Sequence, residues 1–370
     1  MTHFLRLTVC LSALLMSSLA SSQLLIGQTA GFTGAVGAGV TETTEGAKLF
    51  LDSVNARGGV GGQKVELISL DDKFDPKLAV VNARKLIEEN QVLAIFLTRG
   101  TPHTEAIIPL LDEHGMALIG PSTGAMVLHQ PVQRHVFNVR ATYQREAEKA
   151  VVHMASTGVS RIAVIHVNDS FGADAMAGAK AGFDAAKMTP VTVETFDRAK
   201  PDFATVAPKV AATKAQSVMI FGSGSAVVDA VKALRAAGSA AQIITLSNNA
   251  SGGFVKALGE HSRGVVITQV FPNERSISYP LVREAQDLAK AKGLPEISPA
   301  MLEGFAAAKV LVEALKRAGP KPNRERIVSA LNGLKKWDIG GLEISYSPSD
   351  HTGLDFADLS IIGSDGRFKR

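Results

Sequence analysis

Short apolar runs alternate with stretches of helical spacing along almost the whole chain. Leu24 to Gln28 reads as a strand, and Thr44 to Asn55 has Ala47, Leu49, Phe50 and Val54 on one helical face. Lys64 to Leu70 is the next strand after the turn cluster Gly58-Gly-Val-Gly-Gly62. Asp75-Pro76 then opens a helix with an acidic cap and a proline in its first turn, and the pattern runs to Glu89. Val92 to Leu97 predicts a strand, His103 to His114 a helix, and Met116 to Ile119 a strand. Val136 to Arg140 reads as a connection, after which the pattern restarts.

The second series has helices over Arg145–Thr157, Gly172–Ala186, Asp202–Thr213 and Ala226–Ala237. Its strands are Arg161–Val167, Val191–Phe196, Ser217–Phe221, Gln242–Leu246 and Gly264–Val270. Three helical stretches follow, Tyr279–Lys292, Pro299–Ala318 and Asn323–Leu334, then strand-like runs at Gly341–Tyr346 and Ala357–Ile362. Strands separated by helices build mainly parallel sheets. The strands are too many for one compact sheet, so the expected fold class is α/β with two similar lobes joined by short crossings.

The most informative punctuation lies at two neighbouring strand ends. Ala94–Leu97 stops at Thr98-Arg-Gly-Thr-Pro-His-Thr104, and Met116–Ile119 stops at Gly120-Pro-Ser-Thr-Gly124. In an open parallel sheet, ligands bind outside the carboxyl ends of the strands. Both clusters supply hydroxyls and free backbone N–H groups, the equipment of a binding cleft. The plainer reading is that Thr101-Pro102 and Pro121-Ser122 only cap helices.

Composition narrows the class. The 370 residues are 46% hydrophobic and 5% aromatic, with 39 basic and 35 acidic side chains. The small basic surplus is scattered, without the concentrated stripe and interleaved aromatics of a nucleic-acid binder. Met1 to Ser22 has a weakly basic start, an apolar stretch over Leu7–Leu19 and small residues at Ser18 and Ala20. It is expected to be a secretory signal peptide cleaved after Ala20 or Ser22. The only cysteine, Cys10, lies within it, so the mature chain is expected to lack disulfides and thiol chemistry. The nine histidines show no metal-ligand spacing, and no cofactor motif is expected. Gly34-Ala-Val-Gly-Ala-Gly39 has the wrong order for a dinucleotide loop and instead suits close approach to a ligand or another lobe.

Several pieces together resemble the leucine/isoleucine/valine-binding family, the periplasmic substrate-binding proteins of branched-chain-amino-acid-type ABC transporters. They are Gly31-Phe-Thr-Gly34, Val54 to Gly62, Asp71-Asp72, Gly100 to Thr104, Gly120 to Gly124, Phe137-Asn-Val-Arg140, Asn168 to Gly172 and Leu302 to Leu311. The resemblance implies a type I periplasmic-binding fold, two lobes with three crossings and a hinge that closes over a solute. It places residues 23–140 and 272–337 in the first lobe and 141–271 and 338–370 in the second. It implies no enzymatic activity, a small-molecule ligand, an inner-membrane ABC permease as partner, and a periplasmic location.

Carried onto this chain, the ligand contacts expected from the first lobe are Thr101, Ser122, Thr123 and Gly124, to which this chain's own Arg99 is added. From the second lobe they are Phe171, Ser223 and Asn248. Hydroxyl and amide donors are what a carboxylate removed from water requires. Two departures change the expected solute. The turn Ser247-Asn-Asn249 lacks the acid that family members use to hold an ammonium group, although Asp169 or Asp174 offers a substitute. Arg99 brings a full positive charge to the cleft mouth or remains a surface arginine. The expected solute is a small carboxylate, amino acid or amide-like compound; both departures favour the carboxylate or amide, with an apolar or aromatic body if Phe171 faces it and not the core.

One motif points elsewhere. Gly120-Pro-Ser-Thr-Gly124 satisfies the Gly-x-Ser-x-Gly pattern of a serine hydrolase, with His351 as base and Asp350 or Asp338 behind it. Pro121 before the serine and the lack of a Gly-rich oxyanion segment count against it.

Overall fold

The computed structural model describes residues 23–370; the expected leader and Cys10 lie outside them. The first sheet has the order β2-β1-β3-β4-β5 (Val65–Asp71, Leu24–Ala30, Ala94–Phe96, Leu118–Ile119, Val136–Phe137). Its strands are all parallel, and β1 and β2 stay in register from Leu24 opposite Val65 to Ala30 opposite Asp71. Helices α1 (Gly37–Ala56), α2 (Pro76–Glu88) and α3 (Thr101–Glu113) connect these strands.

Five strands of the second sheet repeat that order: β7 (Thr192–Phe196), β6 (Ile162–Val167), β8 (Ser217–Phe221), β9 (Gln242–Thr245) and β10 (Val266–Gln269), all parallel. Strands β13 (Asp358–Ile362) and β14 (Phe368–Lys369) extend it antiparallel beyond β10. Its helices are α4 (Tyr143–Ser156), α5 (Ser170–Ala185), α6 (Phe203–Ala212), α7 (Ser225–Ala236) and α8 (Gly252–Leu258). The architecture is thus two-lobed α/β, and the chain passes between lobes after β5, after β10 and before β13.

Local chemistry explains the element boundaries. Asp75 accepts the Lys77 N–H (2.8 Å) with Pro76 beside it, and Thr142 accepts the Arg145 N–H (3.1 Å), so α2 and α4 begin on side-chain caps. Late in the chain, α9 (Pro280–Ala291), α10 (Pro299–Arg317) and α11 (Arg324–Asn332) return to the first lobe. Helix α10 lies so close to α1 that a Cβ on Gly304 would overlap the Thr43 carbonyl oxygen. Glycine lets the two backbones meet, and the apolar face of α10 completes the first core.

One boundary differs from expectation. Ile339, Ile344, Tyr346 and Leu354 pack in the first core, so residues 338–354 belong there and not with the second lobe. The short ribbon β11 (Trp337–Asp338) and β12 (Glu343–Ile344) ties this segment down, and Tyr346 Oη donates to the Asn138 carbonyl (2.5 Å). The chain enters the second sheet only at β13. Among the described residues no helix is long and apolar enough to cross a membrane.

Several buried groups make stability depend on pH, and three of them titrate near pH 4–6. Burial pushes His103 and His129 down to about 4 from an ordinary 6.5, while burial pushes Asp72 up to about 6. A base depressed in the fold gains its proton first in the unfolded chain. The histidine contribution is therefore complete above 6.5 and drains as pH falls toward 4. The raised Asp72 acts oppositely, recovering stability as pH falls through 6. Between pH 7 and 5 the histidines lose about 2 kcal/mol each and Asp72 returns about 1 kcal/mol. Urea melts should show a net loss of about 2–3 kcal/mol at pH 5. The slope should vanish or reverse in a His103→Asn/His129→Asn protein; an unchanged slope there would refute the assignment.

Candidate functional site

Strand order reverses between β1 and β3 in the first sheet and between β6 and β8 in the second. At such a switch point the following loops diverge and leave a crevice at the strand ends. A cavity of about 130 Å³ lies where the loops after β1, β3, β8 and β9 meet. Gly34 to Val36, Ala38, Gly39 and Arg99 line it from the first lobe; Gly224, Ser225, Val228, Asn248, Phe254 and Ala257 are among the second-lobe residues. The Gly34–Gly39 segment does approach the other lobe, as its composition suggested. Gly224 has φ 55 and ψ −124, and a Cβ there would overlap the Ala35 carbonyl oxygen. Ser225 N–H donates to that same oxygen (3.0 Å), so the lobes meet through backbone at this edge.

Arg99 is the charged centre of the cavity, although only 5% exposed. It is aimed by a strained turn. Leu97, buried, adopts φ 54, a conformation that costs a branched residue about 1–3 kcal/mol. The buried Gln28 amide steadies that turn by donating to the Leu97 carbonyl (3.2 Å) and to Thr44 Oγ1 (3.0 Å). Beyond the turn, Arg99 forms a parallel bridge with Ser122, and its Nη1 donates to Ser122 Oγ (2.9 Å). Its Nη2 donates to the main-chain carbonyl of Asn248 in the other lobe. Two of five N–H donors are thereby engaged. No carboxylate of the described residues ion-pairs with Arg99, and no acidic residue lines the cavity.

The expected site residues separate into groups. Arg99, Ser122, Asn248 and Ser223 form one hydrogen-bonded chain, because Asn248 Nδ2 donates to Ser223 Oγ (3.1 Å) and to the Gly222 carbonyl (3.0 Å). Of these, Arg99 and Asn248 line the interlobe cavity, while Ser122 borders a narrow crevice beside Arg99. Thr101 and Thr123 are correctly neighbours, but their hydroxyls bond each other (2.8 Å) and neither lines the cavity. Gly124 accepts the Tyr143 N–H (2.8 Å) and serves the first crossing. Phe171 is buried in the second core, edge-on to Tyr143 with ring centroids 4.8 Å apart. Neither offered acid enters the cavity: Asp169 caps α5 and pairs with Arg198 (2.6 Å), and Asp174 accepts from Met126 N–H (3.1 Å) and Gln144 Nε2 (2.8 Å).

The hydrolase constellation is not assembled. Ser122 Oγ accepts from Arg99, whereas His351 stacks on Phe137. Its Nε2 meets Asn332 (2.8 Å) and its Nδ1 faces the Gln133 and Val136 carbonyls (both 3.0 Å). Asp350 caps Thr352 (2.9 Å), and Asp338 accepts backbone N–H groups of Gly340 and Gly341. Ser122 has no base.

Sequence reasoning passed over a fully buried ion pair behind the cavity. Arg140, in the first crossing, donates to Glu146 on α4 and to Ser247 Oγ (2.9 Å), and its guanidinium lies 4.5 Å from the Tyr143 ring centroid. Glu146 also accepts the Ser247 N–H (2.9 Å) and the Thr268 hydroxyl at the end of β10. One carboxylate thus joins the first crossing to β10 and to the turn that carries Asn248. Arg140 and Glu146 are six residues apart in mixed structure, so no helical spacing signals the pair.

Residues 23–357 match the family model described as periplasmic binding protein. The Leu/Ile/Val-binding protein BraC3 of Rhizobium johnstonii is 25% identical over 354 residues, 94% of each chain. The Leu/Ile/Val-binding protein homolog 3 of Brucella melitensis is 23% identical over 90% of this chain and 89% of that one. Among solved structures, a substrate-binding periplasmic protein from Ralstonia solanacearum superposes with a TM-score of 0.87 at 28% identity, covering 94% of this chain and 99% of that one. With paired 2-1-3-4-5 sheets, three crossings and a cavity between switch points, this chain belongs to the periplasmic binding protein family and has its type I, Leu/Ile/Val-binding-type architecture.

Proposed function

We propose that the protein is an exported receptor that closes over a small monocarboxylate and hands it to an inner-membrane ABC permease. The observation that carries the carboxylate reading is Arg99, a buried guanidinium at the interlobe cavity with no carboxylate partner. A buried cation is costly until an anion meets it, and the fork of Arg suits a carboxylate. The cavity is small beside the 300 Å³ and more of drug-sized sites, and Val36, Val228, Phe254 and Ala257 give it apolar walls. A short, apolar body fits.

The relatives named above are Leu/Ile/Val-binding proteins, but a zwitterion needs a counter-charge for its ammonium group. The turn at Ser247–Asn249 supplies none, and the nearby Glu42 carboxylate is occupied by the N–H groups of Gly252 (2.9 Å) and Gly253 (2.7 Å). The solute is therefore a carboxylate without an α-ammonium group. Export through the leader and a periplasmic location follow from the same reading, as does a permease that recognises the closed shape.

A thermal-shift screen of aliphatic and aromatic monocarboxylates, their amides and α-amino acids tests it. A true solute at about one hundred times its Kd should stabilise the protein by about 2.7 kcal/mol. Hits confined to amino acids would defeat the proposal.

A further inference from the structure

The lobes also meet through side chains that line no part of the cavity. Lys73 and Phe74 both take left-handed backbone, with φ 53 and 59. The Asp71 and Asp72 carboxylates hold them there by accepting the Lys73 and Phe74 N–H groups (both 2.9 Å). Such a conformation is rare for an aromatic residue and persists only where surroundings enforce it. The turn presents the Phe74 ring in a stack on His103 of α3, with centroids 4.3 Å apart and planes 15° from parallel.

The same ring receives a cation from the opposite lobe. Arg198, in the loop after β7, lies 4.9 Å from the Phe74 centroid. Its guanidinium is fixed by Asp169, the cap of α5, at 2.6 Å. We infer that Phe74 and Arg198 form a closure clasp that sets the balance between open and closed lobes, and with it the apparent affinity for any solute, without touching that solute.

Three features support a clasp over incidental contact. Arg198 keeps its orientation through Asp169, so little side-chain freedom is lost when it reaches the ring. A guanidinium over an aromatic face is attracted more strongly when shielded from water, and both side chains here are partly buried. Phe74 is likewise pre-set, because its left-handed turn and its stack on His103 fix the ring face that Arg198 meets. A protein whose competent closed form is only a fraction of the population binds more weakly by that fraction, so a clasp acts on every solute alike. Phe74 and Arg198 are thus positioning residues, and their role is independent of whether the solute is a carboxylate.

The test needs no solute. Spin labels on Val81→Cys in the first lobe and Val193→Cys in the second, both exposed, report the interlobe distance in a Cys10→Ser background. The solute-free parent should populate both a short and a long distance. Arg198→Ala and Phe74→Ala should each raise the open-to-closed ratio by about 2- to 10-fold, the range expected from a partly shielded cation–π contact. Arg198→Lys should recover part of the short population, which a merely structural role for Arg198 would not predict. Distance distributions unchanged in both alanine variants, or a parent with no short-distance population, would overturn the clasp. Neither outcome bears on the carboxylate proposal.

Discussion

Arg99→Met should bind the tightest monocarboxylate of the screened series at least about 30-fold more weakly, yet fold as stably as the parent or more so. Truncating one side of a buried, hydrogen-bonded charge pair costs about 2–5 kcal/mol of binding, and each 1.4 kcal/mol is tenfold. The stability half of the expectation has the opposite sign. The Arg99 charge is 5% exposed, and its partners among the described residues are Ser122 and the Asn248 carbonyl. Replacing an uncompensated buried charge with a methionine of similar length relieves desolvation. Arg99→Lys keeps the charge but loses the fork, so its affinity should fall between the two. Calorimetric titration and urea melts read both halves. Arg99→Met binding as tightly as the parent would remove Arg99 from the site.

Glu146→Ala should lose about 3–5 kcal/mol of stability at pH 7, because it strands Arg140 as a buried cation. The carboxylate accepts from Arg140, the Ser247 N–H and Thr268, so its loss also frees the turn that faces Arg99. Against a typical total of about 5–15 kcal/mol, that is a large share. The paired replacement Arg140→Met/Glu146→Leu should recover most of the loss, since an apolar pair of similar volume carries no desolvation cost. A double-mutant cycle by urea unfolding checks this. A single-variant loss below about 1 kcal/mol would mean the pair does not tie the first crossing to that turn.

The alternation of strand and helix was legible because burial imposes period on apolar residues. It failed where elements are too short to show a period. Val136–Phe137, Trp337–Asp338 and Phe368–Lys369 are two-residue strands, and α8 opens on Gly252-Gly253, which reads as a turn. Residues 338–354 pack in the first core, which the sequence does not signal, because Tyr346 and Ile344 reveal apolar character but not which face receives it.

Around the cavity, strand-end position pointed to the Arg99 and Ser122 loops, while Asn248 was expected from the family resemblance. Sequence could not tell that Thr101 and Thr123 would satisfy each other's hydroxyls. Nor could it tell that Asn248 meets Arg99 through its backbone carbonyl. Both depend on distances across the fold. The Arg140–Glu146 pair and the Phe74–Arg198 contact were invisible for the same reason, since nothing local links their positions.

The most direct measurement is calorimetric titration of the unmodified protein with three compounds sharing one short apolar skeleton: the carboxylic acid, its primary amide and its α-amino acid. A lone guanidinium without a neighbouring acid predicts the acid binding at least about tenfold tighter than either relative, a difference of about 1.4 kcal/mol. An amino acid that equals or exceeds the acid would contradict the account, because it would require an ammonium partner that the cavity walls do not contain.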